Sequence, residues 1–208
     1  MFDKTLVQIL SDGLLKLSLE DHGADNLLEY VYLLEKWNKT YNITAIRDLP
    51  KMVILHIIDS AAVYRYLAGN SIVDVGTGGG IPGIVLAILN PELNVTLLDS
   101  NKKKTRFLRY VKRQLKLDNV RIVCERVEKY HPKTHYDVVI SRAFCEVGDY
   151  LHLAGHLCGS DGRVYAMKGP RKESEHEADK HGFKLIQDID IDVPFLDAKR
   201  RLLIFSKL

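Results

Sequence analysis

Cysteine is scarce in this sequence, and the cysteines that are present form no metal-binding pattern. The 208 residues include three, Cys124, Cys145 and Cys158, without a CxxC spacing, and an odd number cannot all pair. This argues against a disulfide framework and against a zinc cluster, and it fits a reducing compartment. We therefore predict a cytoplasmic protein without a bound metal, in which Cys145 and Cys158 are core residues.

Long apolar runs are also missing. The longest, Met52 to Ile58 and Ile81 to Leu89, are too short to cross a bilayer, and the N-terminus lacks a basic segment followed by an apolar one. The sequence therefore predicts neither export nor membrane contact, and it gives no sign of an obligate protein partner. Apolar residues make up 46% and charged residues 27% of the chain, so it should fold by itself.

The hydrophobic pattern divides the chain into two parts. Residues 3–39 have apolar positions spaced by three and four and predict helix, and Met52 to Tyr66 predicts another helical run. From residue 71 onwards, short apolar runs alternate with helical segments. We predict a helical N-terminal extension over residues 1–66, packed on a second domain over residues 67–208.

The second part has the alternating pattern of an α/β protein. We predict strands at 71–75, 94–99, 120–124, 136–141 and 162–167, with helices between them at about 82–89, 102–117 and 146–158. After residue 170 a helix is followed by two strands, Phe183 to Ile189 and Arg201 to Ser206, which suggest an antiparallel edge hairpin. The pattern predicts a Rossmann-like, doubly wound, mostly parallel sheet of seven strands with helices on both faces.

A glycine-rich loop follows the first predicted strand. It begins at Asp74 and contains Gly76, Thr77, Gly78, Gly80 and Ile81, while Asp99 ends the second strand 23 residues after Gly76. Glycines let the backbone approach a ligand, and a carboxylate at this strand end can accept hydrogen bonds from both ribose hydroxyls. We expect Thr77 and Ile81 to line the adenosine or methionine portion of the cofactor.

The loop by itself is compatible with S-adenosylmethionine (SAM) and with NAD, because Gly78 to Gly83 also satisfies GxGxxG. Asp74 gives the DxGxGxG form that is typical of SAM enzymes. The 109 residues after Asp99 also leave little room for a hydride-acceptor domain. These features favour a SAM-dependent methyltransferase, and an NAD-dependent oxidoreductase is the alternative.

The segment after the fourth predicted strand bears on the acceptor atom. Ile140-Ser-Arg142-Ala-Phe144 stands where amino-group methyltransferases usually carry (D/N)PPY, and no cysteine follows a proline as in cytosine C5 enzymes. Methylation of an amino group and covalent catalysis are both disfavoured. The remaining mechanism is direct in-line attack on the methyl group by a lone pair of the acceptor atom. In this mechanism the alignment of the reactants supplies most of the acceleration. We therefore predict no catalytic base.

Basic residues crowd Lys102 to Lys116 and return at Lys168 to Lys172 and at Lys199 to Arg201. In the first group, one helix face carries five cations and no acidic residue: Arg106, Arg109, Lys112, Arg113 and Lys116. The face is either solvated or, as we favour, in contact with phosphates, which would make Arg106, Arg109 and Arg113 residues that bind a nucleic-acid substrate.

Four further polar residues have two interpretations each. Arg142 and Lys168 end predicted strands, so they either point into the cleft at the carboxyl edge of the sheet or pair with local carboxylates. His56 and Asp59 lie three apart on a helix. They form either an acid–base pair or, as we favour, helix-packing groups.

Several of these motifs together resemble one family, the ribosomal RNA small subunit methyltransferase G family (RsmG, also called GidB). The matching segments run from about residue 25 to the end and include Trp37–Arg47, His56–Ser60, Val73–Gly83, Ser141–Phe144 and Met167–Gly169. The resemblance implies a class I SAM-dependent enzyme that methylates N7 of guanine 527 in the 530 loop of 16S rRNA. Its partner would be the rRNA itself or the small ribosomal subunit.

The resemblance also implies roles for individual residues. Cofactor contacts would come from Gly76, Ile81, Asp99, Val127, Glu128 and Arg142, with Arg142 near the methionine end. Arg126, Arg142 and Lys168 would hold the RNA. Guanine N7 is an unprotonated acceptor that needs no general base and is reached in RNA loops rather than in regular helices. The alternative is an RNA-binding assembly factor with a degenerate site.

Overall fold

The strands of the protein form one twisted sheet. The computed structural model describes residues 2–19, 23–170 and 176–208, and within them seven strands lie in the order β3-β2-β1-β4-β5-β7-β6. These strands are β1 (Ser71–Val75), β2 (Asn94–Leu98), β3 (Val120–Val123), β4 (Tyr136–Arg142), β5 (Cys158–Lys168), β6 (Phe183–Ile191) and β7 (Arg200–Lys207). β1 to β5 are parallel, whereas β7 runs antiparallel to both β5 and β6. The predicted sheet and its edge hairpin are confirmed.

The helices of the described residues are mostly short. They are α1 (Lys4–Lys16), α2 (Ala24–Tyr41), α3 (Leu49–Met52), α4 (Asp59–Ala61), α5 (Gly83–Leu89), α6 (Lys102–Gln114), α7 (Val147–Ala154) and α8 (His176–Asp179). A π-helical segment, Val53–Ile58, joins α3 to α4. No helix in the described part of the chain is both long and apolar enough to cross a membrane.

Several predicted helices have different boundaries in the structure, and the run predicted from Met52 to Tyr66 is divided among α3, the π-helical segment, α4 and a 3₁₀ turn. The single helix predicted over residues 3–39 is wrong, because the segment forms α1 and α2. Gly23 precedes α2 with φ 83°, a left-handed conformation that interrupts a continuous helix. The helix predicted to reach residue 158 ends at Ala154. Cys158 already pairs with Tyr136 of β4, so β5 begins four residues earlier than predicted.

Helices cover both faces of the sheet, as predicted. On one face, Ile72 and Leu97 join a buried cluster with Leu27 of α2 and Phe107 of α6. On the other face, Val73 packs in a second cluster with residues of α7 and α8. The N-terminal helices therefore share a hydrophobic core with the sheet, and the division at residue 66 stays a prediction.

The cysteines occupy different depths in the second cluster. Cys158 is fully buried, which confirms its predicted core position. Cys145 is only half-buried at the edge of the cluster, so the same prediction is wrong for Cys145. It lies in the loop after β4 rather than in a strand.

The strand order creates a crevice above β1. The chain leaves β1 towards β2 on one side and returns to β4 on the other, so the connections diverge between β1 and β4. Ligands in open α/β sheets bind at this point, outside the carboxyl ends of the strands. Val75, Leu98, Arg142 and Lys168 are the last residues of four strands at this edge.

Candidate active site

The loop after β1 is organised around a buried carboxylate. Asp74 Oδ2 accepts hydrogen bonds from Thr77 Oγ1 at 2.6 Å and from the Gly83 N–H at 2.8 Å. Its Oδ1 has no hydrogen-bond partner among the described residues. Burial raises the pKa of Asp74 to about 6, and the bonds from Thr77 and Gly83 only partly offset this effect. Asp74 therefore fastens the loop to the start of α5.

Other elements hold the loop from outside. The N–H groups of Gly76 and Thr77 both donate to the Leu98 carbonyl at the end of β2. From α2, the buried Tyr30 hydroxyl donates to the Gly79 carbonyl at 2.7 Å. The N-terminal helices therefore contribute directly to the shape of the loop.

Two neighbouring glycines of the loop differ in what a side chain would meet. Gly80 has φ 99°, and a Cβ atom there would lie 2.5 Å from Ile84 Cγ1. A Cβ atom at Gly79 would lie 3.2 Å from Ile43 Cγ2, without a positive φ. We expect Gly80→Ala to lower the free energy of unfolding by about 2 kcal/mol or more and Gly79→Ala by less than about 1 kcal/mol. Urea denaturation measures both, and equal losses would contradict this difference.

A cavity of about 310 Å³, here called the cofactor cavity, opens beside the loop. Four predicted cofactor contacts line it: Gly76, Asp99, Val127 and Glu128. Arg126, predicted to bind RNA, lies at the same cavity with 70% of its side chain exposed. The structure therefore brings these predicted residues together at the carboxyl ends of β1 and β2.

The remaining predicted cofactor contacts in the glycine loop do not line this cavity, and neither does Arg142, which was predicted to lie near the methionine end. The Thr77 hydroxyl is bound to Asp74, Gly80 packs against α5, and Ile81 is buried. Gly78 donates its N–H to Asp99 Oδ2 at 3.0 Å. Their direct contact with a cofactor stays a prediction, and in the structure these residues shape the loop.

Asp99 is the principal polar group of the cofactor cavity. Its Oδ1 accepts a hydrogen bond from the Asn101 N–H at 2.8 Å, Oδ2 accepts the bond from Gly78, and Lys104 Nζ lies 4.0 Å away. Each carboxylate oxygen can accept about two hydrogen bonds, so both can still bind a ribose hydroxyl. The carboxylate, the apolar Val127 and the exposed glycine backbone fit an adenosine-containing cofactor of the size of SAM.

Sequence reasoning missed two cavity residues that follow β4, Ala143 and Phe144. A Cβ atom at Gly76 would lie 2.5 Å from the Phe144 ring, so this ring closes over the start of the glycine loop. Ala143 has φ 55°, an unfavourable conformation for alanine that is typical of functional sites. The Ser141–Phe144 motif is visible in the sequence, but its contact with Gly76 depends on β4 lying beside β1.

A second cavity, of about 270 Å³ and here called the acceptor cavity, adjoins the first, and Ala143 lines both. Its wall combines apolar residues with four cations, Arg142, Lys168, Arg200 and Arg201, and one carboxylate, Asp59, while Arg201 also pairs with Asp188 outside the wall. The excess of positive charge favours an anionic ligand. The predicted pair Arg142 and Lys168 is therefore assembled here, away from the cofactor cavity, and Arg200 was missed because it lies on β7 of the edge hairpin, 141 residues from its partner Asp59.

Asp59 organises the cations of the acceptor cavity. Arg142 Nη1 donates to Asp59 Oδ2 at 3.0 Å and to the Leu55 carbonyl at 2.6 Å. Arg200 Nε lies 3.4 Å from Asp59 Oδ1. Both interpretations of Arg142 therefore hold, since it pairs with a local carboxylate and also lines the cleft. Lys168 Nζ donates to the Cys145 carbonyl at 2.6 Å.

His56 is a buried packing group and not the partner of Asp59. His56 Nδ1 lies 3.1 Å from Arg142 Nη2 and 3.2 Å from the Leu55 carbonyl. A guanidinium only donates, and the Leu55 carbonyl already accepts from Arg142 Nη1 at 2.6 Å, so we assign Nδ1 as the acceptor of the shorter contact. The other ring nitrogen then donates to Thr44 Oγ1 at 2.9 Å. Burial and the nearby Arg142 charge lower the pKa of His56 to about 4. The helix-packing interpretation of His56 is therefore supported.

The lowered pKa of His56 predicts a loss of stability in acid. Between pH 6.5 and about 4 the unfolded chain binds a proton at His56 that the folded chain does not, so stability falls as pH falls through this window. Asp74 acts in the opposite direction, because its raised pKa lets the folded chain take up a proton first. We expect the stability advantage of wild type over His56→Asn to shrink by about 2–3 kcal/mol between pH 7.5 and 4.5. The Asp74 contribution cancels in this comparison, and a pH-independent difference in urea denaturation would contradict it.

The predicted amphipathic helix is confirmed as α6, but it ends at Gln114 rather than near residue 117, so Lys116, with φ 53°, lies beyond the helix and not on its basic face. Phe107, Leu108 and Val111 are buried, while Arg106, Arg109 and Arg113 are exposed. Lys112 instead donates to the Val120 carbonyl at 2.6 Å. Among the described residues, no group of three or more His, Cys, Asp or Glu side chains is arranged to hold a metal ion.

Comparisons with known proteins agree with this arrangement. A family profile described as rRNA small subunit methyltransferase G matches residues 24–204. A ribosomal RNA small subunit methyltransferase G from Hydrogenovibrio crunogenus is 50% identical over 187 residues, which cover 90% of this chain and 87% of the relative. A protein of the same name from Klebsiella pneumoniae is 46% identical and covers 91% and 92%. A SAM-dependent methyltransferase structure from Aquifex aeolicus shares the fold, with a TM-score of 0.61, 14% identity and coverage of 83% and 97%.

Proposed function

The chain belongs to the ribosomal RNA small subunit methyltransferase G family, and from this premise we propose that it methylates N7 of a guanine in the 530 loop of 16S rRNA. Membership of this family makes the chain a SAM-dependent methyltransferase. Of the two cofactors with which the glycine loop is compatible, the chain therefore uses SAM and not NAD. The observation that carries the proposal is the junction at Ala143 of the cofactor cavity and the cationic acceptor cavity. The methyl group of SAM at this junction would face a nucleotide that is bound in the acceptor cavity.

In the cofactor cavity, the residues would hold SAM at several points. Asp99 would accept hydrogen bonds from the ribose hydroxyls, while Val127 and Glu128 would lie beside the adenine. When bound, SAM supplies an electrophilic methyl group that an unprotonated ring nitrogen can attack directly. The backbone of Gly76 and the ring of Phe144 border the path towards Ala143.

In the acceptor cavity, Arg142, Lys168 and Arg200 would bind the phosphate of the target nucleotide. Leu55 and Met167 offer an apolar surface for a flat base. Different side chains commonly bind the base and the phosphate in RNA recognition, in which an unpaired base leaves the stack and cations hold its backbone. Arg126, at the mouth of the neighbouring cavity, would contact the same strand.

The acceptor cavity supports attack by an atom that needs no deprotonation. Both oxygens of Asp59 are engaged by arginines, and His56 Nδ1 accepts from Arg142. Neither is therefore placed to remove a proton from a substrate. Guanine N7 already carries a lone pair, whereas an amino or hydroxyl acceptor would need a base.

Lys168→Ala tests the assignment of the acceptor cavity. Because Lys168 lines the acceptor cavity and not the cofactor cavity, we expect transfer of radiolabelled methyl at limiting rRNA to fall about tenfold while SAM affinity stays nearly unchanged. The substrates are 30S particles and 16S rRNA that lack the modification, and Lys184→Ala, an exposed lysine on β6, is the control. An equal loss of SAM affinity would contradict the assignment. SAM binding by wild type without any transfer would favour an assembly factor instead.

A further inference from the structure

A third cavity, of about 350 Å³, lies between α2 and α6. Its walls are Trp37 from α2 and Arg106, Arg109, Tyr110 and Arg113 from α6, and we call it the aromatic–arginine pocket. It shares no lining residue with the cofactor and acceptor cavities. Methyl transfer as proposed above does not use it.

The aromatic rings of the pocket pack on a buried phenylalanine. Phe107 is fully buried, and the Trp37 ring packs on it with 5.5 Å between ring centroids. Trp37 also lies 5.4 Å from the Tyr110 ring and 5.1 Å from the Tyr41 ring. Trp37 and Tyr110 are only half-buried, so their rings form a firm surface that solvent reaches.

The arginine side carries concentrated positive charge. Arg106, Arg109 and Arg113 are spaced by three and four residues, so they share one exposed face of α6, which contains no acidic residue. The Arg113 guanidinium lies 5.8 Å from the centre of the Tyr110 ring, a cation–π contact that orients it over the aromatic surface. On α2, the nearby Glu35 is already paired with Lys39 at 2.6 Å. The pocket is therefore strongly attractive to anions.

Aromatic rings beside arginines fit an unpaired nucleobase with its flanking phosphates, because every base has a face that stacks and every linkage carries a charge. We propose that the aromatic–arginine pocket binds an unpaired RNA nucleotide other than the one that is methylated. This inference rests on the proposed function for the identity of the RNA. The pocket arginines lie two to nine residues after Lys104, which lines the cofactor cavity, so along α6 the pocket extends from about 3 Å to about 13 Å beyond Lys104 at 1.5 Å per residue. The pocket therefore begins close to the cofactor cavity but has different lining residues, and it would bind another nucleotide of the same RNA.

Trp37 is the only tryptophan in the sequence, so its fluorescence reports on this pocket alone. We titrate the full chain, without SAM, with a short single-stranded oligoribonucleotide while anisotropy of a label on the RNA follows binding. Stacking of a base in the pocket should quench the Trp37 emission in parallel with the anisotropy change. RNA binding that leaves the emission unchanged, or no RNA binding at all, would overturn the proposal.

A matched pair of triple variants tests the arginines. Arg106→Gln, Arg109→Gln and Arg113→Gln together should weaken RNA binding about tenfold or more and reduce the slope of log K against log salt by about 2, since each single-strand phosphate contact contributes about 0.7. The control, Lys133→Gln, Lys180→Gln and Lys184→Gln, removes the same charge from exposed positions outside the pocket. Equal weakening by the control would overturn the pocket as a specific site.

The readouts also separate this inference from the proposed function. At saturating rRNA the arginine variant should still methylate the same guanine, because the cofactor and acceptor cavities are intact. Loss of methyl transfer at saturating rRNA, with SAM affinity retained, would show that the pocket is part of the methylation site and would overturn its separate role. If wild type bound RNA with quenching but transferred no methyl group, the proposed function would fail while the pocket stood.

Discussion

Asp99→Asn is expected to raise the dissociation constant of SAM about tenfold or more, which corresponds to about 1.4 kcal/mol. Asp99 is only 9% exposed, and both of its oxygens face backbone N–H groups at the ends of β1 and β2. An asparagine keeps one acceptor oxygen but has an amino group in place of the other. This amino group only donates, so it cannot accept a hydrogen bond from the Gly78 N–H or from a ribose hydroxyl. Charge-assisted bonds of this kind contribute about 1.5–3 kcal/mol each.

Isothermal titration calorimetry with SAM measures the effect of Asp99→Asn directly. Glu125→Gln is the matched control, because Glu125 lines the same cavity but is exposed, and we expect less than about a threefold change in affinity. Binding of single-stranded RNA should be the same in wild type and both variants. Unchanged SAM affinity in Asp99→Asn would rule out the ribose contact.

Arg142→Lys is expected to slow methyl transfer about a hundredfold, or about 2.7 kcal/mol in activation free energy, with SAM affinity nearly unchanged. The guanidinium of Arg142 simultaneously reaches the Leu55 carbonyl, Asp59 and His56. A lysine ammonium is a single point charge and cannot span these partners with fixed geometry. The acceptor cavity would keep its charge but lose the orientation of its central cation.

Single-turnover transfer from labelled SAM to rRNA separates the chemical step in Arg142→Lys from substrate binding. Arg163→Lys on β5 serves as the control, because the hydrogen bonds found for its side chain go to local carbonyls of Asp161 and Gly162. Arg163→Lys should unfold at a urea concentration close to that of wild type, whereas Arg142→Lys should be somewhat less stable but folded under the assay conditions, because it loses bonds to buried partners. Full transfer by Arg142→Lys would contradict the role of the guanidinium, as would a loss of SAM binding in proportion to the loss of transfer.

The parts of the fold that were predictable depend on short-range patterns. β1 to β4 each lie within about a residue of the predicted bounds, because their apolar runs are bounded by glycine, charged residues or helix-starting residues. Asp74 and Asp99 were placed correctly for the same reason, since strand ends in a parallel sheet share one edge. The amphipathic pattern of α6 likewise fixed which of its faces is buried.

The remaining features depend on contacts between distant parts of the chain. The hydrogen bond from Tyr30 to Gly79 spans 49 residues and the pair between Asp59 and Arg142 spans 83. No local pattern indicates either contact. The sequence therefore suggested that Arg142 belongs to an active site, but it did not indicate which cavity Arg142 lines. The position of the Phe144 ring over Gly76 could not be predicted either.

Mapping of the methylated atom tests the central proposal most directly. Wild-type protein is incubated with radiolabelled SAM and with 30S particles or 16S rRNA that lack the modification, and the product is cleaved chemically at N7-methylguanine. We expect label at one guanine of the 530 loop, with cleavage at that position. Label on another atom or outside that loop would contradict the proposed function.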